Sequence, residues 1–217
     1  MARESEFFLV LACPCQVEGE KVMTGFNRHK RNTRGHVFVV SAPSGAGKTT
    51  LCRKILNKYK FLSYSISHTT RPPRKDEKNG VDYFFIAKEE FQNKIKTGFW
   101  AEWAEVHDNL YGTAIKFIEE KIKTGASLLL DIDVQGAKQI KACFPDAITI
   151  FIMPPSFKVL EERLRSRGTD SEDVIKKRLA NAEKEVKEKE FYDFTIVNDD
   201  LESAAVEFGK IIEEACL

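Results

Sequence analysis

A chain of 217 residues, of which 42% are hydrophobic, can bury one α/β core with room for a small inserted subdomain. Its 34 lysines and arginines nearly cancel its 33 aspartates and glutamates, so no overall field would recruit nucleic acid or an anionic membrane. Any anion-binding site must therefore be local, and no apolar run is long enough to span a bilayer.

The N-terminal part, residues 1–35, is predicted to be a flexible extension. Its apolar run at 7–13 superficially resembles a signal peptide, but two nearby glutamates cancel the positive charge that such a peptide needs. Our hypothesis is that Met23 is the native start. The basic cluster at 28–34 is interpreted as a solvated arm in preference to a nucleic-acid contact.

The five cysteines are scattered along the chain. Cys13 and Cys15 are separated by a single residue, which fits neither a C-x-x-C redox motif nor the usual zinc spacing. We therefore expect reduced thiols in a cytoplasmic protein.

The most informative stretch is an apolar run at 36–40 that leads into a loop of small residues and then a helix-like segment at 48–60. Strand, glycine loop and helix in this order form the context of a phosphate-binding P-loop, which argues against a chance Gly-Lys-Thr sequence. Backbone N–H groups and the helix N-terminus would point at phosphate oxygens. The residues expected to line this nucleotide site are Ala42, Pro43, Ser44, Gly45, Ala46, Gly47, Lys48, Thr49 and Thr50.

Two side chains of this loop carry the expected chemistry. Lys48 would reach the β- and γ-phosphates of a nucleoside triphosphate, and the Thr49 hydroxyl would ligate Mg²⁺. The usual pattern opens with glycine, but this chain has Ala42 there, which must adopt a negative φ or carry strain.

From residue 36 onward, predicted strands and helices alternate. Alternation predicts a parallel sheet with helices on both faces and with substrates at the carboxyl ends of the strands. The predicted strands lie at 37–41, 127–132, 147–153 and 194–197. The predicted helices lie at 48–59, 134–143, 156–165 and 201–215.

Residues 67–113 interrupt this alternation. Short strands at 83–86 and 101–106 are predicted around a helix at 88–95. Because this part lies between core strands, we interpret it as an inserted α+β subdomain that covers a second substrate.

The segment at 67–74 displays two arginines on a stiff turn. Pro72 and Pro73 hold the chain extended, so Arg71 and Arg74 would present guanidinium groups that suit a phosphate. A solvated surface turn is the alternative interpretation.

Two aspartates follow the apolar run that begins at residue 127. Asp131 would end a parallel strand beside the P-loop, where such a residue commonly holds Mg²⁺ directly or through its waters. Asp133 better suits the N-cap of the next helix, and it can serve as both cap and ligand.

A cationic helix–turn–helix is predicted at about residues 156–190. Arg163 and Arg167 are four residues apart, so they would share one helix face. Arg178 lies on the next helix, for which Ser171 is the N-cap candidate. Such a lid would neutralise a polyphosphate and exclude water, whereas ion pairs with nearby glutamates are the alternative for each arginine.

The inserted region also contains Glu102, Tyr83, Tyr111 and Thr113. A carboxylate such as Glu102 can accept hydrogen bonds from the N1–H and 2-amino edge of guanine. Adenine has an acceptor at N1 and lacks the 2-amino group. An exposed strand position between two tryptophans is the alternative for Glu102.

Taken in order, these motifs make the chain resemble the guanylate kinases from about residue 36 to the C-terminus. The motifs that carry the resemblance are SAPSGAGKTT, SHTTRPPR, GVDYFF, FWAEWAEVHDNLYGT, LLLDIDVQG, IFIMPPS, RLRSRGTDSE and TIVNDD. The resemblance implies a P-loop NTPase with a parallel sheet flanked by helices, an inserted α+β nucleotide-monophosphate-binding subdomain and a helical lid. We expect the core at 36–66 and 114–217, the insert at 67–113 and the lid at about 156–190.

The resemblance also implies a reaction, in which the γ-phosphoryl group of ATP passes to GMP or dGMP with Mg²⁺ present. Positioning and electrostatics would supply the catalysis, with no covalent intermediate. ATP and GMP are the expected partners in purine nucleotide metabolism, without nucleic acid or membrane, and a homodimer is left open.

The resemblance assigns roles to individual residues. The catalytic residues it implies are Lys48, Arg71, Arg163, Arg167 and Arg178. The GMP-binding residues it implies are Ser67, Arg71, Arg74, Tyr83, Glu102, Tyr111, Thr113 and Asp133. It also implies that Asn198 lies near the adenine and that Thr49 and Asp131 lie at the metal.

Two alternatives come from other functional classes. A catalytically dead scaffold module of guanylate-kinase type would bind phosphorylated partners, but such domains typically lose P-loop residues that this chain keeps. A kinase for another small acceptor, such as a ribose phosphate, is disfavoured by Ser67, Glu102 and Asp133 together, which indicate a guanine pocket.

Overall fold

The computed structural model describes residues 34–106, 108–166, 168 and 170–216. The strands are β1 (Val37–Ser41), β2 (Leu62–Tyr64), β3 (His68–Thr69), β4 (Phe84–Phe85), β5 (Trp100–Val106), β6 (Asn109–Ala114), β7 (Ser127–Asp131), β8 (Ile148–Met153) and β9 (Phe194–Val197). The helices are α1 (Lys48–Lys58), α2 (Lys88–Lys96), α3 (Ile115–Lys123), α4 (Val134–Cys143), α5 (Phe157–Ser166), α6 (Glu172–Lys187) and α7 (Leu201–Cys216).

A five-stranded parallel sheet in the order β2–β7–β1–β8–β9 forms the centre of the fold. Its inner strands are continuous apolar runs, as expected for a sheet that is covered on both faces. One apolar cluster packs α1 and α7 against the sheet, and a second contains side chains of α3 and α4. The prediction of a parallel sheet flanked by helices is confirmed.

The predicted core elements agree with the structure to within one or two residues. The sequence analysis missed β2, β3, β6 and α3. The first two are only three and two residues long, and α3 begins directly after β6 with no intervening loop. The buried residues Ile118 and Ile122 of α3 are four apart, a spacing that could have revealed this helix.

A second sheet of four strands has the order β4–β3–β6–β5. Phe91 of α2 packs with Trp100 and Leu110 in a small core of its own. The predicted strands and helix of this region are confirmed. Helix α4 contacts β1 of the first sheet and β5 of the second, so it links the two sheets.

Helices α5 and α6 pack on each other through a third apolar cluster that includes Leu160, Leu164 and Ile175. Ser171 occupies the N-cap position of α6 as predicted, but its side chain makes no capping hydrogen bond. Its carbonyl oxygen accepts the first hydrogen bond of the helix, from the N–H of Ile175.

The predictions for residues 1–33, including Met23 as the start, lie outside the described residues. Cys52 and Cys216 are free thiols, whereas Cys143 is disulfide-bonded, so the expectation of reduced thiols is wrong at Cys143. Among the described helices, none has the length and apolar character needed to cross a membrane.

The contribution of α7 to the core can be measured directly. Phe208 is fully buried in the cluster that α7 forms with α1 and the sheet. Phe208→Ala should lower the free energy of unfolding by roughly 3–5 kcal/mol. Val206 on the same helix is 55% exposed, so Val206→Ala should change that free energy by less than about 0.5 kcal/mol. Equal losses in urea denaturation would contradict this packing.

Candidate active site

The loop between β1 and α1 has the backbone shape that an anion-binding loop needs. Gly45 and Gly47 have φ values of 98° and 91°, in the left-handed region where side chains are strained. A Cβ atom at Gly47 would lie 2.3 Å from Nδ2 of Asn198, so space also requires glycine there. Ala42 is not among the described residues with positive φ, and it therefore replaces the usual glycine without backbone strain.

Lys48, at the start of α1, is held at the carboxyl end of β7. Its Nζ lies 2.5 Å from Oδ1 of Asp131 and donates a hydrogen bond to the carbonyl oxygen of Ile132 at 3.2 Å. Strand register explains this contact, because β1 and β7 are parallel neighbours with Val40 opposite Asp131. A cation and an acid therefore meet beside the glycine loop.

A cleft of about 800 Å³ opens beside the glycine loop. This volume lies within the range of about 300–1,000 Å³ that is typical of small-molecule sites. Its lining includes most of the predicted P-loop residues together with Arg74, Tyr83 and Asp131. The sequence analysis did not single out other residues of this lining, which include Arg53, Tyr64, Glu77 and Glu185.

A smaller cavity of about 240 Å³ lies next to this cleft. Lys48, Tyr83 and Asp131 line both, so the two spaces adjoin at a cation. The other predicted site residues in the lining of the smaller cavity are Ser67, Glu102, Tyr111 and Asp133. Predicted site residues that lie between positions 42 and 133 of the sequence thus surround two adjoining spaces.

Glu102 is a buried carboxylate at the smaller cavity, so the exposed-strand alternative is wrong. Its Oε1 accepts a hydrogen bond of 2.6 Å from the Thr113 hydroxyl, which lies 3.5 Å from the Ser67 hydroxyl. Burial raises the pKa of Glu102 from 4.5 to about 7, and the negative charge of Asp133 adds to this rise, while the Thr113 hydrogen bond opposes it.

Asp133 caps α4, as the sequence predicted. Its Oδ1 accepts a hydrogen bond of 2.7 Å from the N–H of Gly136. The same residue lines the smaller cavity, and its role toward a ligand stays a prediction.

Arg71 is held by an acid rather than freely solvated. Its Nη2 donates to both carboxylate oxygens of Glu77, at 2.8 and 2.9 Å, and the backbone N–H of Arg74 donates to the same carboxylate. The guanidinium carbon lies 5.5 Å from the ring centre of Tyr83, which in turn lies 6.0 Å from that of Tyr111. Glu77 therefore occupies donors that the sequence analysis assigned to a phosphate.

Two of the predicted lid arginines, Arg163 and Arg178, are bound to other groups of the protein. Arg163 donates to the carbonyl oxygens of Asn198 and Asp199, at 3.0 and 3.4 Å. The Nη1 of Arg178 lies 3.1 Å from a carboxylate oxygen of Asp170. The contact of these arginines with a transferring phosphate stays a prediction, and Arg167 lies outside the described residues.

Other residues near the lid have structural contacts. Arg165 pairs with Glu161 and Glu172, which is the ion-pair alternative considered for this segment. Asn198 is buried, and its Nδ2 donates a hydrogen bond of 2.7 Å to the carbonyl oxygen of Ala46. Asn198 thus ties the end of β9 to the glycine loop, and its proximity to an adenine stays a prediction.

Comparisons with known proteins give a consistent result. The family model described as guanylate kinase matches residues 34–215. The protein named guanylate kinase from Syntrophotalea carbinolica is 53% identical over 86% of this chain and 89% of its own. Its namesake from Geobacter metallireducens is 47% identical over 82% and 88% of the two chains. The crystal structure of guanylate kinase from Anaplasma phagocytophilum is 36% identical, with a TM-score of 0.69 over 85% of this chain and 88% of its own.

The raised pKa of Glu102 predicts a pH dependence of stability. The folded chain holds a proton on Glu102 up to about pH 7, whereas the unfolded chain loses it near 4.5. Folding therefore takes up a proton between these values, and the free energy of unfolding falls as the pH rises through this window. The fall is about 3 kcal/mol at most, since one pKa unit corresponds to about 1.4 kcal/mol.

Glu102→Gln should remove this dependence, because the amide does not titrate. Urea denaturation of both proteins at pH 5, 6, 7 and 8 measures the two slopes. If the free energies of unfolding of the two proteins change in parallel over the whole pH range, the pKa of Glu102 is not raised in the folded chain.

Proposed function

We propose that this chain, which belongs to the guanylate kinase family, transfers the γ-phosphoryl group of ATP to the phosphate of GMP. The observation that carries the proposal is the pair of adjoining spaces, one beside the P-loop and one beside the buried carboxylate of Glu102. Lys48 lies where they meet, so a phosphoryl donor and an acceptor can face each other across one cation. The products are ADP and GDP.

The donor side binds ATP through the glycine loop. Its backbone N–H groups and the N-terminus of α1 hold the phosphates, while Lys48 contacts the β- and γ-phosphates. The Thr49 hydroxyl and the Asp131 carboxylate supply oxygen donors at this cleft, which suit Mg²⁺. Bound Mg²⁺ would neutralise charge on the donor phosphates. Among the described residues, no group of three or more His, Cys, Asp or Glu side chains could hold a metal ion.

The acceptor side reads the base and holds its phosphate. The Glu102 carboxylate accepts hydrogen bonds from N1–H and the 2-amino group of guanine, with Ser67, Thr113 and Asp133 around it. The residues that hold the GMP phosphate are Arg71, Arg74, Tyr83 and Tyr111. Because Arg71 donates to the Glu77 carboxylate, the GMP phosphate must either share the guanidinium with Glu77 or displace Glu77 from it.

The lid completes the site when α5 and α6 move toward the phosphates. Arg163, Arg167 and Arg178 then converge on the transferring group and exclude water. Arg163 and Arg178 must exchange their contacts with backbone carbonyls and Asp170 for contacts with phosphate oxygens.

Finer assignments belong to the same proposal. The insert comprises residues 67–113, the lid about 156–190 and the core the remainder from residue 36. Asn198 lies beside the adenine of ATP, dGMP is a second acceptor, and the enzyme serves purine nucleotide metabolism in the cytoplasm. Homodimer formation stays a prediction that sedimentation velocity can test.

An acceptor panel tests the proposed function. ADP release is measured with ATP–Mg²⁺ and GMP, AMP, UMP, CMP or ribose phosphates in separate reactions. Turnover with GMP alone supports both the chemistry and the reading of the base. Turnover with another acceptor contradicts the guanine pocket, and GMP binding without any turnover would favour a scaffold module over an enzyme.

Lys48→Ala tests the donor side. Loss of the ammonium should lower kcat by about 100- to 1,000-fold, since the cation stabilises charge on the transferring group. Lys54 lies on the same helix and pairs with Glu202 at the surface, so Lys54→Ala should leave kcat unchanged. Near-normal kcat in a folded Lys48→Ala protein would contradict the role of Lys48 in stabilising the transferring group.

A further inference from the structure

We propose that Gly136 and Gln139 of α4 are positioning residues for the acceptor base, which act through Glu102. The inference rests on the proposed function, because it takes Glu102 as the group that reads guanine. It assigns part of the acceptor specificity to a helix that also packs against the central strand β1.

Gly136 leaves room for two carboxylates. A Cβ atom at this position would lie 2.8 Å from Oε2 of Glu102 and 3.3 Å from Oδ1 of Asp133. Both distances are shorter than an ordinary carbon–oxygen contact, so a methyl group would displace Glu102. The backbone N–H of Gly136 also donates to Asp133.

The reason for glycine here is space and not backbone conformation. Gly136 lies inside α4 and is not among the glycines with positive φ. Glycine inside a helix is less favourable than alanine by about 1 kcal/mol. In return, glycine at this position lets the carboxylates of Glu102 and Asp133 approach the helix closely.

Gln139 fixes the strand that carries Glu102. Its side-chain amide donates to the carbonyl oxygen of Trp103 at 2.9 Å and accepts from the N–H of Trp103 at 3.1 Å. Both backbone groups of the residue after Glu102 are thus bound to α4. The pairing of β5 with β6 is irregular between Trp100 and Glu102, as at a bulge that redirects a side chain.

Placement of this carboxylate should determine selectivity between purines. Guanine offers two donors to Glu102, N1–H and the 2-amino group, whereas hypoxanthine offers N1–H alone. A displaced carboxylate loses the geometry needed for two simultaneous hydrogen bonds. The preference for GMP over IMP is therefore a readout that loss of stability alone would not change.

Gly136→Ala is the main test. Its KM for GMP should rise by about 10- to 100-fold, the effect of losing a hydrogen bond to a charged group. The kcat at saturating GMP and the KM for ATP should stay close to the wild-type values, and the ratio of kcat/KM for GMP to that for IMP should fall. Gln139→Ala should move the same ratio in the same direction.

Lys138→Ala is the matched control on α4. Lys138 lies next to Gln139 and pairs with Glu188 at the surface, so its loss should leave the GMP to IMP ratio unchanged. Thermal unfolding of each variant reports stability separately.

The outcomes separate the two proposals. A wild-type protein without GMP turnover would overturn the proposed function. An active wild-type protein with an unchanged GMP to IMP ratio in both Gly136→Ala and Gln139→Ala would overturn the positioning role alone. Equal losses toward GMP and IMP, together with lowered thermal stability, would also overturn it, because they indicate a structural role.

Discussion

The contact between Lys48 and Asp131 is the constraint on which the rest of the site depends. Because β1 and β7 are parallel neighbours, the helix that follows β1 presents its first residue to the acid that ends β7. The same ammonium donates to the carbonyl oxygen of Ile132, so its position is fixed from two sides. It lines both cavities, so a phosphoryl group that passes from the proposed donor to the proposed acceptor would lie beside this cation.

Glu102, unlike Asp131, is a buried acid that is not paired with a cation among the described residues. Lys48 and Asp131 compensate each other, whereas Glu102 accepts its hydrogen bonds from Thr113. Burial favours its protonated form, which is why its pKa is raised. In the proposed function, a ligand that brings two N–H donors offsets this cost, so the smaller cavity would favour a base with two adjacent donors. The proposed selectivity and the raised pKa of Glu102 would then have one physical cause.

The sequence predicted what depends on local pattern and missed what depends on tertiary contacts. Buried strands are continuous apolar runs, and the P-loop follows from its spacing between strand and helix. The burial of Glu102 was not predictable, because an acid between two tryptophans suits either face of a strand. The Glu77 carboxylate on Arg71 was missed for a similar reason, since charge pairing at a turn has no periodic signal. The steric role of Gly136 depends on a strand more than 30 residues away.

Proton release on GMP binding tests the account most directly. At pH 6 the free protein should hold a proton on Glu102, and the guanine donors should expel it when they bind the carboxylate. Titration calorimetry in buffers with different ionisation enthalpies counts the protons released by wild type and by Glu102→Gln. The account predicts greater release from the wild-type protein, by a fraction of a proton that approaches one. Equal release from both proteins would contradict the claim that Glu102 reads the base as a carboxylate.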